Sequence, residues 1–208
     1  MKKALVALVG VVVIFVVVVA MQPAGFHLER SVISKAPPAV LFDYVNDLHK
    51  MPEWSPWAAM DPNQKITYAG PAIGVGSSYT WVGEKTGEGK QTITESVPNQ
   101  KVTTKLEFLK PMEATNVATF TLKPAAGGTT VTWSMDGERD FISKAFGLFV
   151  SMENMVGPQF EQGLAKLSAV SEKKASEIAA AEAKAKADAE AAAATAPTGA
   201  TGPTAAKH

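Results

Sequence analysis

The chain has 208 residues, 46% of them apolar, and its 20 basic side chains are balanced by 20 acidic ones. A net charge of zero supplies no long-range field for a phosphate backbone, which argues against nucleic acid as a partner. The absence of cysteine removes disulfides, thiolate metal sites and a lipid-modified cysteine anchor. The histidines His27, His49 and His208 are too scattered to form a ligand pair, so neither a metal nor another cofactor is expected.

The N-terminus, residues 1–25, carries an unbroken apolar run from Ala4 to Met21 behind Lys2 and Lys3. As a helix this run spans about 27 Å, close to the hydrocarbon thickness of a bilayer. Valine-rich backbone in lipid must satisfy its own hydrogen bonds, which makes a transmembrane helix the expected form. The two lysines hold the short end in the cytoplasm and place the domain on the extracytoplasmic, periplasmic side. The alternative is a cleaved signal peptide and a secreted domain, since Val18 and Ala20 suit a small-residue cleavage rule.

Residues 26–34, FHLERSVIS, form the first expected strand, ended by Pro37-Pro38, which cannot donate ladder hydrogen bonds. Apolar spacing of three and four from Val40 to Leu48 predicts a short amphipathic helix over 39–47. The segment KMPEWSPWAAMDP, 50–62, holds three prolines and two tryptophans and is expected to be a compact docked loop. Alternation then predicts six strands, at 65–69, 77–82, 89–97, 101–109, 113–123 and 129–136, joined by short Gly-, Pro- and Asn-bearing turns that imply antiparallel neighbours. Gly74-Val75-Gly76 is one of these turns, because a strand rather than a helix follows it.

One long helix, 141–170, is expected to close the apolar face of the sheet. Its stripe runs through Ile142, Phe146, Phe149, Met152, Val156, Phe160, Leu164 and Leu167. Pro158 is expected to bend or break it, and Asp140 to cap it. Residues 171–194, Ala-rich with opposite charges four apart, predict a solvated helical extension, and 195–208 a disordered tail.

One strand, a short helix, six antiparallel strands and a long closing helix place the chain in the α+β class. The strings SVISKAPPAVLFDYVND, WSPW, GVGSSYTWVG, GTTVTWSMDG and FEQGLAKL resemble bacterial members of the polyketide cyclase/dehydrase and lipid-transport superfamily, also called SRPBCC or START/Bet v 1-like. The resemblance covers roughly residues 26–169, within an expected domain of 26–170, and implies a helix-grip fold. In that fold a seven-stranded curved antiparallel sheet wraps on a long C-terminal helix, with an apolar cavity between them. None of these strings is a catalytic signature, and no GxSxG nucleophile elbow occurs.

The expected cavity walls are Tyr79, Trp81, Phe108, Phe120, Trp133 and Met135 from the sheet, opposed by Phe146, Phe149, Met152 and Phe160 from the helix. Trp54 and Trp57 are expected at the mouth. On an ideal helix Glu153 lies about 40° from Phe149 and about 60° from Val156, inside the stripe, which makes it the one candidate acid/base. Three functions follow. The first is a tethered binding protein for a hydrophobic small molecule or lipid. The second is a cyclase/dehydratase-type enzyme on a polycyclic or polyketide-like substrate, with Glu153 or a tyrosine moving a proton. The third is an interaction protein with a filled core that meets a protein partner through its C-terminal tail.

Overall fold

The computed structural model describes residues 2–149 and 151–195. Helix α1, Lys2–Met21, is followed by strand β1, Gly25–Ser34, and helix α2, Pro38–Asn46. A single 3-10 turn, Leu48–Lys50, leads into two short helices, α3, Met51–Trp54, and α4, Pro56–Met60. The strands β2, Lys65–Ala69, β3, Ser78–Gly83, β4, Gly87–Val97, β5, Lys101–Lys110, β6, Ala114–Ala125, and β7, Gly128–Glu138, come next. Helices α5, Phe141–Gly147, and α6, Met152–Thr195, complete the order. α2, α3 and α4 each carry proline at the first or second position, where its missing amide costs nothing, so the Pro-rich loop is a run of helical turns.

All seven strands form one antiparallel sheet in the order β1-β7-β6-β5-β4-β3-β2. The meander from β2 to β7 follows from its short turns, and β1 returns to pair with β7 from Gly25↔Glu138 to Ser34↔Thr129. Between β4 and β5 the register shifts at Glu88/Gly89 and again at Ile93/Glu95. Such bulges bend a strand and increase its twist, which curls the sheet around α6.

The filled half of the domain lies between the sheet and the first half of α6. Phe160, Leu164 and Leu167 of α6 are buried against Leu41 and Val45 of α2 and Val102, Leu122 and Val131 of the sheet. Each such side chain contributes about 1.5–3 kcal/mol relative to exposure. Packing reaches beyond residue 170. Ser171 is wholly buried, and the Glu172 carboxylate accepts from the Lys35 amide at 2.8 Å and the hydroxyls of Ser168 and Ser34 at 2.9 and 3.1 Å. Those donors, the Lys35 amide first, hold its pKa below the ordinary carboxylate value. Farther along, α6 continues as a solvated charged helix with a Lys186–Glu190 pair at 4.0 Å. The expected disordered end lies outside the described residues except for Thr195.

The closing helix departs from expectation in two ways. Its interruption falls between Gly147 and Met152, while α6 continues unbroken through Pro158. Pro158 stands only six residues into the helix, and the group it deprives of a partner belongs to Asn154, which is exposed. Gly157 beside it leaves room for the Arg30 guanidinium crossing from β1, which an added Cβ would meet at 2.5 Å and displace. The second departure is that the first third of the predicted stripe is not core. Ile142, Phe146 and Phe149 are 66%, 54% and 80% exposed.

Candidate functional site

At the end of the domain near α5, the sheet and α6 diverge and enclose a cavity of about 480 Å³. Period-two alternation sends its walls inward: Ile66 and Tyr68 on β2, Tyr79 and Trp81 on β3, Leu106 and Phe108 on β5, Trp133 and Met135 on β7. Helices α3 and α4 close one side, and the first turns of α6 close the other through Met152, Met155 and Val156.

The inner end is sealed by five rings. Trp133 stacks on Phe160 at 4.0 Å and on Phe120 at 4.8 Å, and meets Trp54 and Trp57 edge-on at 5.6 and 5.5 Å. Offset and edge contacts of this kind fix ring orientation beyond simple area burial. Trp54 is only 3% exposed, so it belongs to the floor and not to the mouth, the correction following from its position at the end of α3.

A second row of rings, Tyr68, Tyr79, Trp81 and Phe108, runs along the wall at centroid spacings of 6.1, 5.8 and 5.8 Å. Trp81 lies flat across β4 because its register partner is Gly89, where a Cβ would stand 2.4 Å from the indole. The Trp81 Nε1–H donates to the Thr86 carbonyl at 3.2 Å. Asp61 in turn accepts from the Lys85 and Thr86 amides at 2.8 and 3.3 Å, which lowers its pKa and pins the β3–β4 turn at the rim.

Six methionines, Met51, Met60, Met112, Met135, Met152 and Met155, line the cavity. The chain has eight, and the other two, Met1 and Met21, stand in the N-terminal segment, so every methionine of the domain faces this space. Unbranched thioethers adapt to guests of different outline. Only Met135 and Met152 were legible from the alternation and the stripe; the others sit in turns and short helices with no period to read.

Polar groups are few and poorly paired. The Trp54 and Trp133 indole nitrogens, the Asn116 side-chain oxygen and Arg139 Nε are buried without a protein partner, and all four residues line the cavity. Asn116 is 7% exposed, and its amide nitrogen reaches only the Met135 sulfur at 3.8 Å. The signal for Asn116 was present in the sequence, since it precedes Ala118 and Phe120 at intervals of two and therefore shares their face.

The expected residues separate into two groups. Tyr79, Trp81, Phe108, Phe120, Trp133, Met135, Met152, Trp54 and Trp57 line the space, while Phe149 and Glu153 do not. The Glu153 carboxylate points away and pairs with Arg30 Nη2 at 2.5 Å, beside a second pair from Arg30 Nε to Glu161 at 2.7 Å. The helix restarts at Met152, so the phase extrapolated from Phe149 does not apply. Tyr79 is hydrogen-bonded to Gln91 at 3.0 Å, and burial pushes its phenol far above the ordinary range, so it stays protonated near neutrality. His49 stacks on Tyr68 outside the lining. Among the described residues no cluster suited to a metal ion occurs.

The profile of the family described as Polyketide cyclase / dehydrase and lipid transport matches residues 25–172, the span that builds both sheet and cavity. The chain belongs to this family. Among solved structures, protein CV1439 from Chromobacterium violaceum is similar with a TM-score of 0.52 at 19% identity, over 73% of this chain and 99% of its own. The Aha1 dimer from Colwellia psychrerythraea gives 0.51 at 17% identity over 71% and 96%. The di-domain ARO/CYC StfQ from the steffimycin biosynthetic pathway gives 0.55 at 12% over 74% and 52%. At these identities the likeness shows the fold alone. No curated protein matches the chain. Family and fold together mark the domain as a hydrophobic-ligand-binding type, and α1 is one helix long and apolar enough to cross a membrane or to serve as a signal sequence.

Proposed function

We propose that the chain is a membrane-tethered binding protein that holds a hydrophobic small molecule or lipid in the cavity of its family domain, on the extracytoplasmic side. The observation that carries this is a space of about 480 Å³ walled by aromatic rings and by every methionine of the domain. That volume falls within the roughly 300–1,000 Å³ of small-molecule pockets. The buried Asn116 oxygen and the indole N–H groups favour a ligand with at least one polar group, because each unpaired atom costs about 1–3 kcal/mol until something bonds it.

Holding is favoured over proton transfer by the character of the polar lining. Its charged members, Lys85, Lys110, Glu113, Glu138 and Arg139, stand at strand ends and turns, and burial raises the pKa of the deep Tyr79 phenol, which disfavours the phenolate a base would need. An open space of this size also weighs against a filled core. The test is purification from the native membrane followed by extraction and mass spectrometry. A stoichiometric apolar compound is expected, with the full-length mass in the detergent fraction. A consistently empty cavity that also takes up no hydrophobic fluorophore would remove the binding function, and a mature chain beginning at Met21 would remove the tether.

A further inference from the structure

The apolar residues expected in the core but found in solvent gather in one place. Phe141, Ile142 and Phe146 of α5, with Leu148 and Phe149 just after it, are all substantially exposed, Phe149 at 80%. Phe146 and Gly147 also line the cavity, as does Met112 in the β5–β6 turn, itself 55% exposed. The patch is therefore the rim of the cavity mouth. A contiguous group of exposed aromatic and aliphatic side chains marks an interaction surface and not ordinary scatter.

The position of this rim relative to α1 is fixed by strand register. Gln22, Pro23 and Ala24 alone separate the end of α1 from β1, a stretch of at most about 14 Å. Gly25 pairs with Glu138, the Arg139 amide donates to the Ala24 carbonyl at 2.7 Å, and α5 begins at Phe141. The α5 helix thus starts three residues beyond the strand position that faces the foot of α1, and α1 and α5 approach each other. Where α1 leaves the bilayer, the rim is held at the bilayer surface.

We infer that α5 and the Leu148–Phe149 turn sit in the lipid interface, so that the cavity mouth opens onto the leaflet in which α1 ends. The partner of this surface is lipid, and the ligand class it admits is a membrane-resident amphiphile entering from the side. A short helix with exposed Phe141, Ile142 and Phe146 and with Lys144 in its last turn has the composition of an interfacial segment. The inference rests on the proposed tether and deepens the proposed binding function by naming the route.

The test uses the full chain in phosphatidylcholine nanodiscs. Because the chain has no cysteine, Ile142→Cys, Phe149→Cys and Ile33→Cys each carry one environment-sensitive fluorophore without background. Ile33 is 59% exposed, as open as Ile142 at 66%, but lies about 27 Å along β1 from Gly25. Labels at 142 and 149 are expected to emit at shorter wavelength and to be quenched at least twofold by lipids bearing a shallow nitroxide, with the label at 33 unaffected. Water-like emission at all three positions in a chain that retains α1 overturns the inference. A blue shift that depends on copies per disc and not on nitroxide lipid also overturns it, in favour of a second copy of the chain. The mass-spectrometric result is read separately: an empty cavity with lipid-quenched labels removes the ligand alone, and a loaded cavity with water-exposed labels removes the docking alone.

Discussion

Replacing Asn116 by leucine is expected to move stability and binding in opposite directions. Both side chains branch at Cγ, and Gly137, directly across the register, leaves room beside residue 116, so leucine keeps the outline and removes the amide. In the ligand-free protein the Asn116 oxygen is buried without a donor and its nitrogen has only a sulfur at 3.8 Å. Removing that unpaired group should stabilise the empty protein by about 1–3 kcal/mol. For a domain of about 150 residues this raises Tm by roughly 2–12 °C. The same change deletes one hydrogen bond to the ligand, about 0.5–1.5 kcal/mol, or roughly a two- to tenfold weaker affinity. Thermal unfolding of stripped protein by circular dichroism, and titration with the compound extracted from the wild type, read the two effects. A lower Tm with unchanged affinity would show that Asn116 is structural and refute its role as the polar contact.

Gly89→Val should destabilise the domain by about 1–3 kcal/mol in urea unfolding and weaken ligand binding, since the new Cβ displaces the Trp81 ring. Glu153→Gln should leave ligand affinity within twofold by the same titration, because the carboxylate serves Arg30 and not the cavity. The His27 pKa is raised above 6.5, first by its hydrogen bond to Asp136 on β7. This contact therefore stabilises the β1 edge below that pH and is lost as pH rises through the folded value, visible as declining amide protection in β1 and absent in His27→Gln. Asp61 titrates below 3.8, its carboxylate held by the Lys85 and Thr86 amides. Its contribution is present above that pH and lost as acid reaches the lowered value, and Asp61→Asn should abolish that acid-dependent loosening of the β3–β4 turn in an NMR titration.

Strands were the most legible part of the sequence. β2 falls at the predicted residues 65–69 and the others lie within a few residues of theirs, because one buried and one wet face force alternation on every strand. The cavity wall was readable for the same reason, from Tyr79 through Met135. The helical stripe misleads because it is not continuous. The interruption after Gly147 resets the phase, which carries Glu153 out to Arg30 and leaves Phe149 in the open. Pro158 does not break α6, because near a helix start the carbonyl it orphans belongs to Asn154, an exposed residue. The role of Glu172 has no local signature because two of its partners, Lys35 and Ser34, are distant in sequence.

The clustering of thioethers gives the domain a chemical vulnerability. With no thiol anywhere in the chain, methionine is its only sulfur, and all six copies in the domain meet around one space. Peroxide would convert them to sulfoxides, each replacing a soft apolar surface with a strong dipole. The damage would fall on the guest's surroundings before it reached the filled half of the core, emptying the protein while leaving it folded. Reductase repair of the sulfoxides would restore it.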